Sequence, residues 1–359
     1  MIKALVVDDS TVVSEFLTHI LDSDPEIQVI GAVHNGEEAL EAVKTKKPDV
    51  ITMDIRMPRM NGLEATRLIM ETYPTPIVIV SGSFDGEEAA SFRAIEAGAL
   101  AVLPRPVGIG HPDHESMTQE LVRTVKLMSE VKVVKRWARS PNGGIIRSVP
   151  LQPEVTIEPL PGIKLVAIGA STGGPLVLQE ILSDLPSDYP IPVLIVQHIA
   201  AGFVGGFVEW LGHSTGYPVR VARHGERLQP GQAAIAPDEF HLGVSAPDQI
   251  VLSRALPENG LRPSVSFLFR SVAQVFGGSA VGVLLTGMGK DGAYELGLMK
   301  KKGAITIAQD EASSVVHGMP GEAVNLEAAT YVLSPQRIAS ALRRLADQNL
   351  EVLARQKSG

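Results

Sequence analysis

The alternation of short apolar runs with helical patterns constrains the fold of this chain more than any other feature. From residue 1 to about 125, runs such as ALVVDD, DVITMD and PIVIVSG are each followed by apolar residues at helical spacing. Five such strand and helix units predict an open parallel sheet that is covered on both faces. We therefore expect residues 1–125 to form a five-stranded, doubly wound α/β domain.

The alternation stops and then resumes. The segment between the two stretches is first basic and then rich in proline and glycine, which is typical of a linker. A cluster of short strands from about Ala233 to Arg254 predicts a β-hairpin insertion, and Ser334 with Pro335 predicts the start of a closing helix. We expect a linker at 126–160 and a second, mostly parallel α/β domain at 161–353.

The composition restricts the class of protein. At 359 residues the chain exceeds what one hydrophobic core usually organises, and without cysteine it has no disulfide, thiolate metal site or cysteine nucleophile. The N-terminal apolar run is too short for a signal peptide or a membrane span. The net charge of −8 argues against nucleic acid as a binding partner. The local basic stretch from Arg123 to Arg139 indicates a solvated helix face or a linker. We expect a cytoplasmic protein without membrane insertion.

Three carboxylates follow strands of the first predicted sheet. Asp8 and Asp9 end the first strand and Asp54 ends the third, and in a sheet of order 2-1-3-4-5 these strands are neighbours. Unpaired carboxylates would repel one another, so a hard cation such as Mg²⁺ is the natural compensation. The same arrangement would leave Asp54 able to attack phosphorus. A single aspartate in such a position is more often a turn or helix cap.

The motifs around these aspartates are specific. With VVDDS and MDIRMPRMNG, the first domain resembles the response-regulator receiver family over essentially its full length. The resemblance implies that Asp54 accepts phosphate from a histidine kinase, that Asp8 and Asp9 serve Mg²⁺, and that Ser81 senses the phosphoryl group. Arg105 stands where receivers usually carry lysine, and its wide planar guanidinium is not equivalent to an ammonium.

In the second domain a serine and a histidine follow consecutive predicted strands. Ser171 lies in IGASTGG, which fits the G-x-S-x-G turn that lifts a hydroxyl above the edge of a sheet, although a helix cap or a phosphate-binding turn fits the same window. His198 follows the run PVLIVQH. Because both strands should end at the same edge, the spacing permits a Ser-His pair.

A third strand end supplies an acid and a glycine-rich turn. LLTGMGKDG places Asp291 just before a helix, where it could orient His198 and stabilise the imidazolium form, or, taken alone, cap that helix. The backbone N–H groups of Thr172 and Met288 are candidate donors to a tetrahedral oxyanion. The chain order Ser, His, Asp differs from that of ordinary α/β-hydrolases.

Taken together, IGASTGG, QH, TGMGKDG and HGMPGEA behind a receiver resemble the chemotaxis receptor protein-glutamate methylesterases over both domains. The resemblance implies hydrolysis of glutamate γ-methyl esters on methyl-accepting chemotaxis receptors to glutamate and methanol, often with deamidation of receptor glutamines. It implies Ser171 as nucleophile, His198 as general base and then acid, Asp291 as its orienting partner, and Thr172 and Met288 at the oxyanion site. Mg²⁺ is implied for receiver phosphorylation, and no cofactor for the esterase chemistry.

Control and substrate contact are also implied. A receiver joined by a linker to a hydrolase suggests that phosphorylation of Asp54 relieves inhibition. Arg262 could contact acidic neighbours of the ester, while Ser266 stands where the family usually has aspartate, so it serves either substrate contact or loop anchoring. The alternative function is a non-catalytic response regulator whose second domain binds a partner protein, with Ser171 and Asp291 as caps.

Overall fold

The computed structural model describes residues 1–82, 88–131, 133, 162–245 and 248–357, and the side chains of residues 88–91 and 349–357 lie outside the description. The chain divides into two compact units whose boundary, between residues 146 and 147, is outside the described residues. The prediction of two α/β domains is confirmed. Each unit is described by itself.

The first unit contains one parallel sheet. Its strands are β1 (Ile2–Val7), β2 (Ile27–Val33), β3 (Val50–Met53), β4 (Ile77–Ser81) and β5 (Ala101–Pro104). Their order is β2-β1-β3-β4-β5, as expected for the doubly wound fold. β3 and β4 are buried along their whole length, because helices cover both faces of the sheet centre.

Five helices cover this sheet within the described residues. They are α1 (Thr11–Asp22), α2 (Gly36–Lys46), α3 (Gly62–Thr72), α4 (Glu88–Ala97) and α5 (His114–Ser129). α1 packs against α5, whereas α3 packs against α2 and α4. Asn35 and Asn61 cap α2 and α3 by accepting backbone N–H groups in the first turn.

Helix α5 continues past residue 125, the predicted end of the first domain. Residues 126–129, assigned from sequence to the linker, belong to this helix. The reason is that Leu121, Val125 and Met128 continue one buried stripe at helical spacing past the predicted domain end. Lys126, from the basic stretch, pairs with Asp24 at 3.4 Å. Residues 134–161, which hold most of the predicted linker and the last part of the basic stretch, lie outside the described residues, as does residue 132.

The second unit is built on a larger parallel sheet. Its described strands are β6 (Leu165–Ala170), β7 (Val193–Gln197), β8 (Val219–Val221), β9 (Ala233–Ile235), β10 (His241–Ser245), β11 (Gln249–Ser253), β12 (Ala280–Leu284), β13 (Ile305–Gln309) and β14 (Tyr331–Leu333). Seven of them form a sheet of order β14-β13-β12-β6-β7-β9-β8, and every pairing in it is parallel. The antiparallel pair β10 and β11 forms the predicted hairpin insertion.

Helices connect most of these strands. They are α6 (Gly174–Ser183), α7 (Val204–Thr215), α8 (Val265–Val275), α9 (Ala293–Lys301), α10 (Met319–Asn325) and α11 (Pro335–Lys357). α8 packs against both β10 and α9. α11 begins at the predicted Pro335 and extends to Lys357, past residue 353, the predicted end of the second domain. Among the described residues, no helix is long and apolar enough to cross a membrane.

Candidate active site

Three central strands of the second unit end beside one another. β6 lies between β12 and β7, and in a parallel sheet the three carboxyl ends share one edge. Ser171 directly follows β6, His198 directly follows β7, and Asp291 lies in the loop between β12 and α9. The sheet topology therefore brings the three predicted residues to the same edge.

The turn that carries Ser171 is held by backbone hydrogen bonds. Ser171 N–H donates to the carbonyl of Thr286, and Gly174 N–H donates to the carbonyl of Ser171 at 2.8 Å. Gly173 has a φ of +79°, as the predicted tight turn requires, and is the N-cap of α6. Because no side chain caps α6, the alternative that Ser171 is a helix cap receives no support.

His198 and Asp291 form a buried pair. His198 Nε2 lies 2.9 Å from Asp291 Oδ2, and their side chains are 12% and 1% exposed. With Asp291 ionised, Nε2 must carry the proton and donate it, so Nδ1 of the neutral ring is the nitrogen that can accept one. The Asp291 contact thus fixes which imidazole nitrogen serves as the base.

The backbones of Ser171 and His198 are close neighbours. His198 N–H donates to the carbonyl of Ala170 at 2.9 Å, across paired strands. In the described part of the chain the Ser171 hydroxyl has no hydrogen-bond partner. Proton transfer to His198 therefore requires the side chains to approach each other, which is common before substrate binds.

Asp291 accepts four hydrogen bonds. Besides His198, its donors are the hydroxyl of Ser264 at 2.8 Å and the backbone N–H groups of Val265 at 2.6 Å and Ser266 at 3.1 Å. Burial by itself raises the pKa of Asp291. The hydrogen bond to His198, the charge of His198 and the hydrogen bonds with Ser266 and Ser264 outweigh burial and lower the pKa to about 2. The carboxylate is therefore ionised at any physiological pH.

Asp291 is also a helix cap, although not of the helix that follows it. Its two backbone donors, Val265 and Ser266, are the first residues of α8. The N-cap of the following helix α9 is Gly292, and no side chain caps that helix. Asp291 can therefore cap a helix and orient His198 at the same time, because one oxygen, Oδ2, accepts hydrogen bonds from both Val265 and His198.

Backbone donors lie in the two glycine-rich turns. Within the described residues, the N–H groups of Thr172 and Met288 have no protein acceptor, as an oxyanion site requires. The Thr286 hydroxyl donates to the carbonyl of Thr172 at 2.9 Å, which ties the two turns together. The turns are also in close contact, since a Cβ added to Gly287 would lie 2.6 Å from Ser171 Cβ.

Several buried polar residues around this site were not predicted. Gln197 Nε2 donates to the carbonyls of both Ser171 and His198, at 2.9 and 2.8 Å. Gln309 Oε1 accepts the backbone N–H of Thr286 at 2.8 Å. A polar residue that ends or follows an otherwise apolar strand is the sequence signal that could have identified Gln197, Thr286 and Gln309.

Ser266 anchors a loop. Its hydroxyl accepts the backbone N–H of Gly292 at 2.9 Å, and the residue is 4% exposed. This burial favours the anchoring interpretation over substrate contact. Arg262 is half-buried, and its guanidinium donates to the carbonyl of Ala255 at 3.3 Å.

A second site lies at the sheet edge of the first unit. One carboxylate oxygen from each of Asp8, Asp9 and Asp54 lies within 4.8 Å of the others. Burial and the charge of Asp8 raise the pKa of Asp54 to about 6, against the attraction of Arg105. Three converging hard oxygen ligands fit Mg²⁺, and a divalent cation would relieve their mutual repulsion.

Arg105 contacts this acidic cluster directly. Its guanidinium lies 3.1 Å from Asp8 Oδ2 and 3.6 Å from Asp54 Oδ1, so one side chain bridges two of the carboxylates. Ser81 ends β4 and is buried. Its backbone carbonyl accepts a hydrogen bond from the backbone N–H of Arg105 at 2.8 Å. Ser81 therefore ends one strand and Arg105 directly follows the adjacent strand β5, and the arginine keeps a positive charge beside the acids.

Comparisons with known proteins agree with these two sites. A family model described as CheB methylesterase matches residues 166–342, and one described as response regulator receiver domain matches residues 4–111. The family resemblances inferred from the motifs are confirmed by these matches.

Two similar proteins can be aligned with almost the whole chain, and one similar crystal structure with about half of it. The protein-glutamate methylesterase/protein-glutamine glutaminase 4 of Geobacter metallireducens is 58% identical, with 96% of this chain and 99% of that protein covered. The protein-glutamate methylesterase/protein-glutamine glutaminase of Nitrosospira multiformis is 57% identical, with 98% and 99% covered. The crystal structure of the Thermotoga maritima CheB methylesterase catalytic domain has a TM-score of 0.49 and 36% identity, covering 52% of this chain and 100% of that one.

Proposed function

The chain belongs to the protein-glutamate methylesterase/protein-glutamine glutaminase family, and from this premise we propose that it hydrolyses glutamate γ-methyl esters and deamidates glutamines on methyl-accepting chemotaxis receptors. The observation that carries the proposal is the pair of His198 and buried Asp291, 2.9 Å apart at the same sheet edge as the half-buried Ser171. That arrangement is the requirement for a serine nucleophile activated by a base.

Acylation uses the three side chains in sequence. Ser171 Oγ attacks the ester carbonyl carbon while His198 Nδ1 takes the hydroxyl proton, and Asp291 stabilises the resulting imidazolium. The tetrahedral oxyanion accepts hydrogen bonds from the backbone N–H groups of Thr172 and Met288. Each donor stabilises the transition state by about 3–4 kcal/mol. The intermediate then expels methanol, which takes its proton from His198, and leaves a glutamyl ester on Ser171.

Deacylation repeats the same steps with water. His198 Nδ1 takes a proton from the attacking water, and the second tetrahedral intermediate expels Ser171 Oγ, which recovers its proton from His198. The product is a glutamate carboxylate. With a glutamine side chain as substrate, the leaving group of the first step is ammonia instead of methanol, and the product is the same.

The first unit supplies control. We assign Asp54 as the residue that accepts a phosphoryl group from a histidine kinase, with Ser81 and Arg105 beside it. Asp8, Asp9 and Asp54 would hold Mg²⁺, which would neutralise charge on the incoming phosphoryl group. Arg105 provides a permanent cation opposite Asp54, so it can hold a phosphorylated Asp54 by ion pairing. We infer a cytoplasmic location, because the proposed phosphodonor and the proposed receptor substrate segment would both meet the protein there.

Product analysis tests the proposed function. A receptor cytoplasmic fragment carrying γ-methyl esters should release methanol with the wild-type protein, and a fragment carrying glutamines should release ammonia. Ser171→Ala should lower both rates by about 10⁴-fold or more, because the nucleophile is removed while the fold is kept. A folded wild-type protein that releases neither product would contradict the proposal and favour the non-catalytic partner-binding function.

A further inference from the structure

The loop that enters α8 holds the catalytic carboxylate from one side. Val265 and Ser266 present their backbone N–H groups to Asp291, and Ser264 adds its hydroxyl. These residues lie more than twenty positions before Asp291 in the chain, so the contact is tertiary. The start of α8 thus provides the environment in which the ionised carboxylate sits.

Ser264 is used in an unusual way. It is the N-cap of α8, where a serine normally turns its oxygen toward a backbone N–H of its own first helical turn. Here it makes no such cap bond, and its hydroxyl donates to Asp291 Oδ1 at 2.8 Å. Asp291 performs the capping instead. Because Ser264 is completely buried, water cannot replace this donor.

The four donors fix the orientation of the carboxylate. Oδ1 accepts from Ser264 and Ser266, while Oδ2 accepts from Val265 and His198. Rotation of the carboxylate about its Cβ–Cγ bond would break bonds at both oxygens. The direction in which Oδ2 meets the imidazole is therefore set partly by the donor at Oδ1.

We propose that Ser264 is a positioning residue for hydrolysis, acting through Asp291 to orient and polarise His198. This inference rests on the proposed function. Removing the hydroxyl leaves the backbone N–H of Ser266 as the one described donor to Oδ1, so rotation of the carboxylate is less restrained and its charge is less stabilised by hydrogen bonding. A less stabilised carboxylate attracts the Nε2 proton of His198 more strongly, which favours the charged imidazole.

The test compares Ser264→Ala with wild type in methanol release. The expected result is a fall in kcat of about 10- to 100-fold, the size of one lost hydrogen bond to a charged group, with KM nearly unchanged. The acid limb of the pH profile of kcat/KM should move to higher pH, because the charged imidazole is favoured. Ser264→Thr, which keeps the hydroxyl, should recover most of the rate.

Ser271→Ala is the matched control. Ser271 lies on the same helix, and its hydroxyl donates to the carbonyl of Leu268 and accepts from Val244, away from Asp291. Its loss should lower stability without changing kcat or the pH profile. A merely structural Ser264 would behave in the same way, so a Ser264→Ala protein with wild-type kcat and pH profile would overturn the inference.

Labelling of Ser171 by a fluorophosphonate distinguishes failure of this inference from failure of the proposed function. This reaction needs the activated serine and no receptor. If wild type releases no methanol, the proposed function fails, while labelling slower by about 10-fold or more in Ser264→Ala than in wild type would still support the inference. Equal labelling of the two proteins, or no labelling of wild type, would overturn it.

Discussion

At the scale of single residues, Asp291 connects stability with the proposed chemistry. Its carboxylate caps α8 and binds His198 with the same oxygen. Its pKa is about 2, below its ordinary value of 3.8, so the folded state favours the ionised form. A depressed pKa contributes stability that is complete above the unfolded-state pKa and is lost as the pH falls through the folded-state pKa.

We expect Asp291→Asn to lose about 2 kcal/mol of unfolding free energy at pH 7, since one unit of pKa corresponds to about 1.36 kcal/mol. The difference between the two proteins should be constant above about pH 4 and should shrink as the pH falls toward about 2. Denaturant unfolding of both proteins across this range measures it. A difference that does not change with pH would show that the charge of Asp291 does not stabilise the fold.

The sequence indicated the residues that perform the proposed steps but not those that hold them. Ser171, His198 and Asp291 were predictable because each follows an apolar strand of a parallel sheet. Ser264 was not identified, because its contact with Asp291 depends on which loops meet at the sheet edge. Gln197 was overlooked, although it is a polar residue at the end of an apolar strand. Asp291 was taken as a possible cap of the next helix, whereas tertiary packing directs it to α8.

At the scale of elements, the turn after β12 packs closely against the turn after β6, which carries Ser171. A Cβ at position 287 would lie 2.6 Å from Ser171 Cβ and 2.5 Å from Met319 Sδ. We expect Gly287→Ala to displace Ser171 and to lower kcat by about 100-fold, the cost of a shift of about 1 Å in a reacting group. Overpacking should also destabilise the protein by about 1–3 kcal/mol.

Gly212→Ala is the control for this prediction. It makes the same chemical change inside α7, where the nearest atom to an added Cβ is 4.0 Å away. The alanine should leave kcat unchanged and stabilise the helix by about 0.5–1 kcal/mol. Methanol release and denaturant unfolding of both variants check the pair. Equal kcat values for Gly287→Ala and wild type would show that the contact does not position Ser171.

Elements were predictable where the periodicity was strong. The strands before Asp8, Asp54, Ser171 and His198 end as the apolar runs indicated. Helix α5 runs to Ser129, four residues past the predicted domain end at residue 125, because its buried face continues through Val125 and Met128. Local signals locate the start of a linker less well than the last buried residue of the preceding helix.

At the scale of the whole molecule, the proposed function assigns control to the first unit and the hydrolytic chemistry to the second. We expect a small phosphodonor with Mg²⁺ to increase methanol release by the full chain, and a tenfold increase requires only about 1.4 kcal/mol between two states. Chelation of Mg²⁺ should remove the increase and leave the basal rate, because the proposed esterase steps run through Ser171, His198 and Asp291 alone. Asp54→Asn should also remove the increase. Loss of basal turnover on chelation would contradict this division.

The fold class followed from strand and helix alternation over the whole chain, and so did the division into two domains. The order of the seven-stranded sheet could not be predicted from this alternation, because β12, β6 and β7 are brought together by pairing between distant segments. A parallel sheet nevertheless limits the outcome, since all carboxyl ends share one edge. That limit is why a site could be proposed before its strand order was known.

A covalent serine intermediate can be detected by mass spectrometry of the protein quenched in acid during turnover of a methylated receptor fragment. We expect an ester adduct on Ser171 that is absent from Ser171→Ala and forms more slowly in His198→Ala. Turnover with an unmodified Ser171, or retained turnover in Ser171→Ala, would contradict a serine nucleophile at this sheet edge.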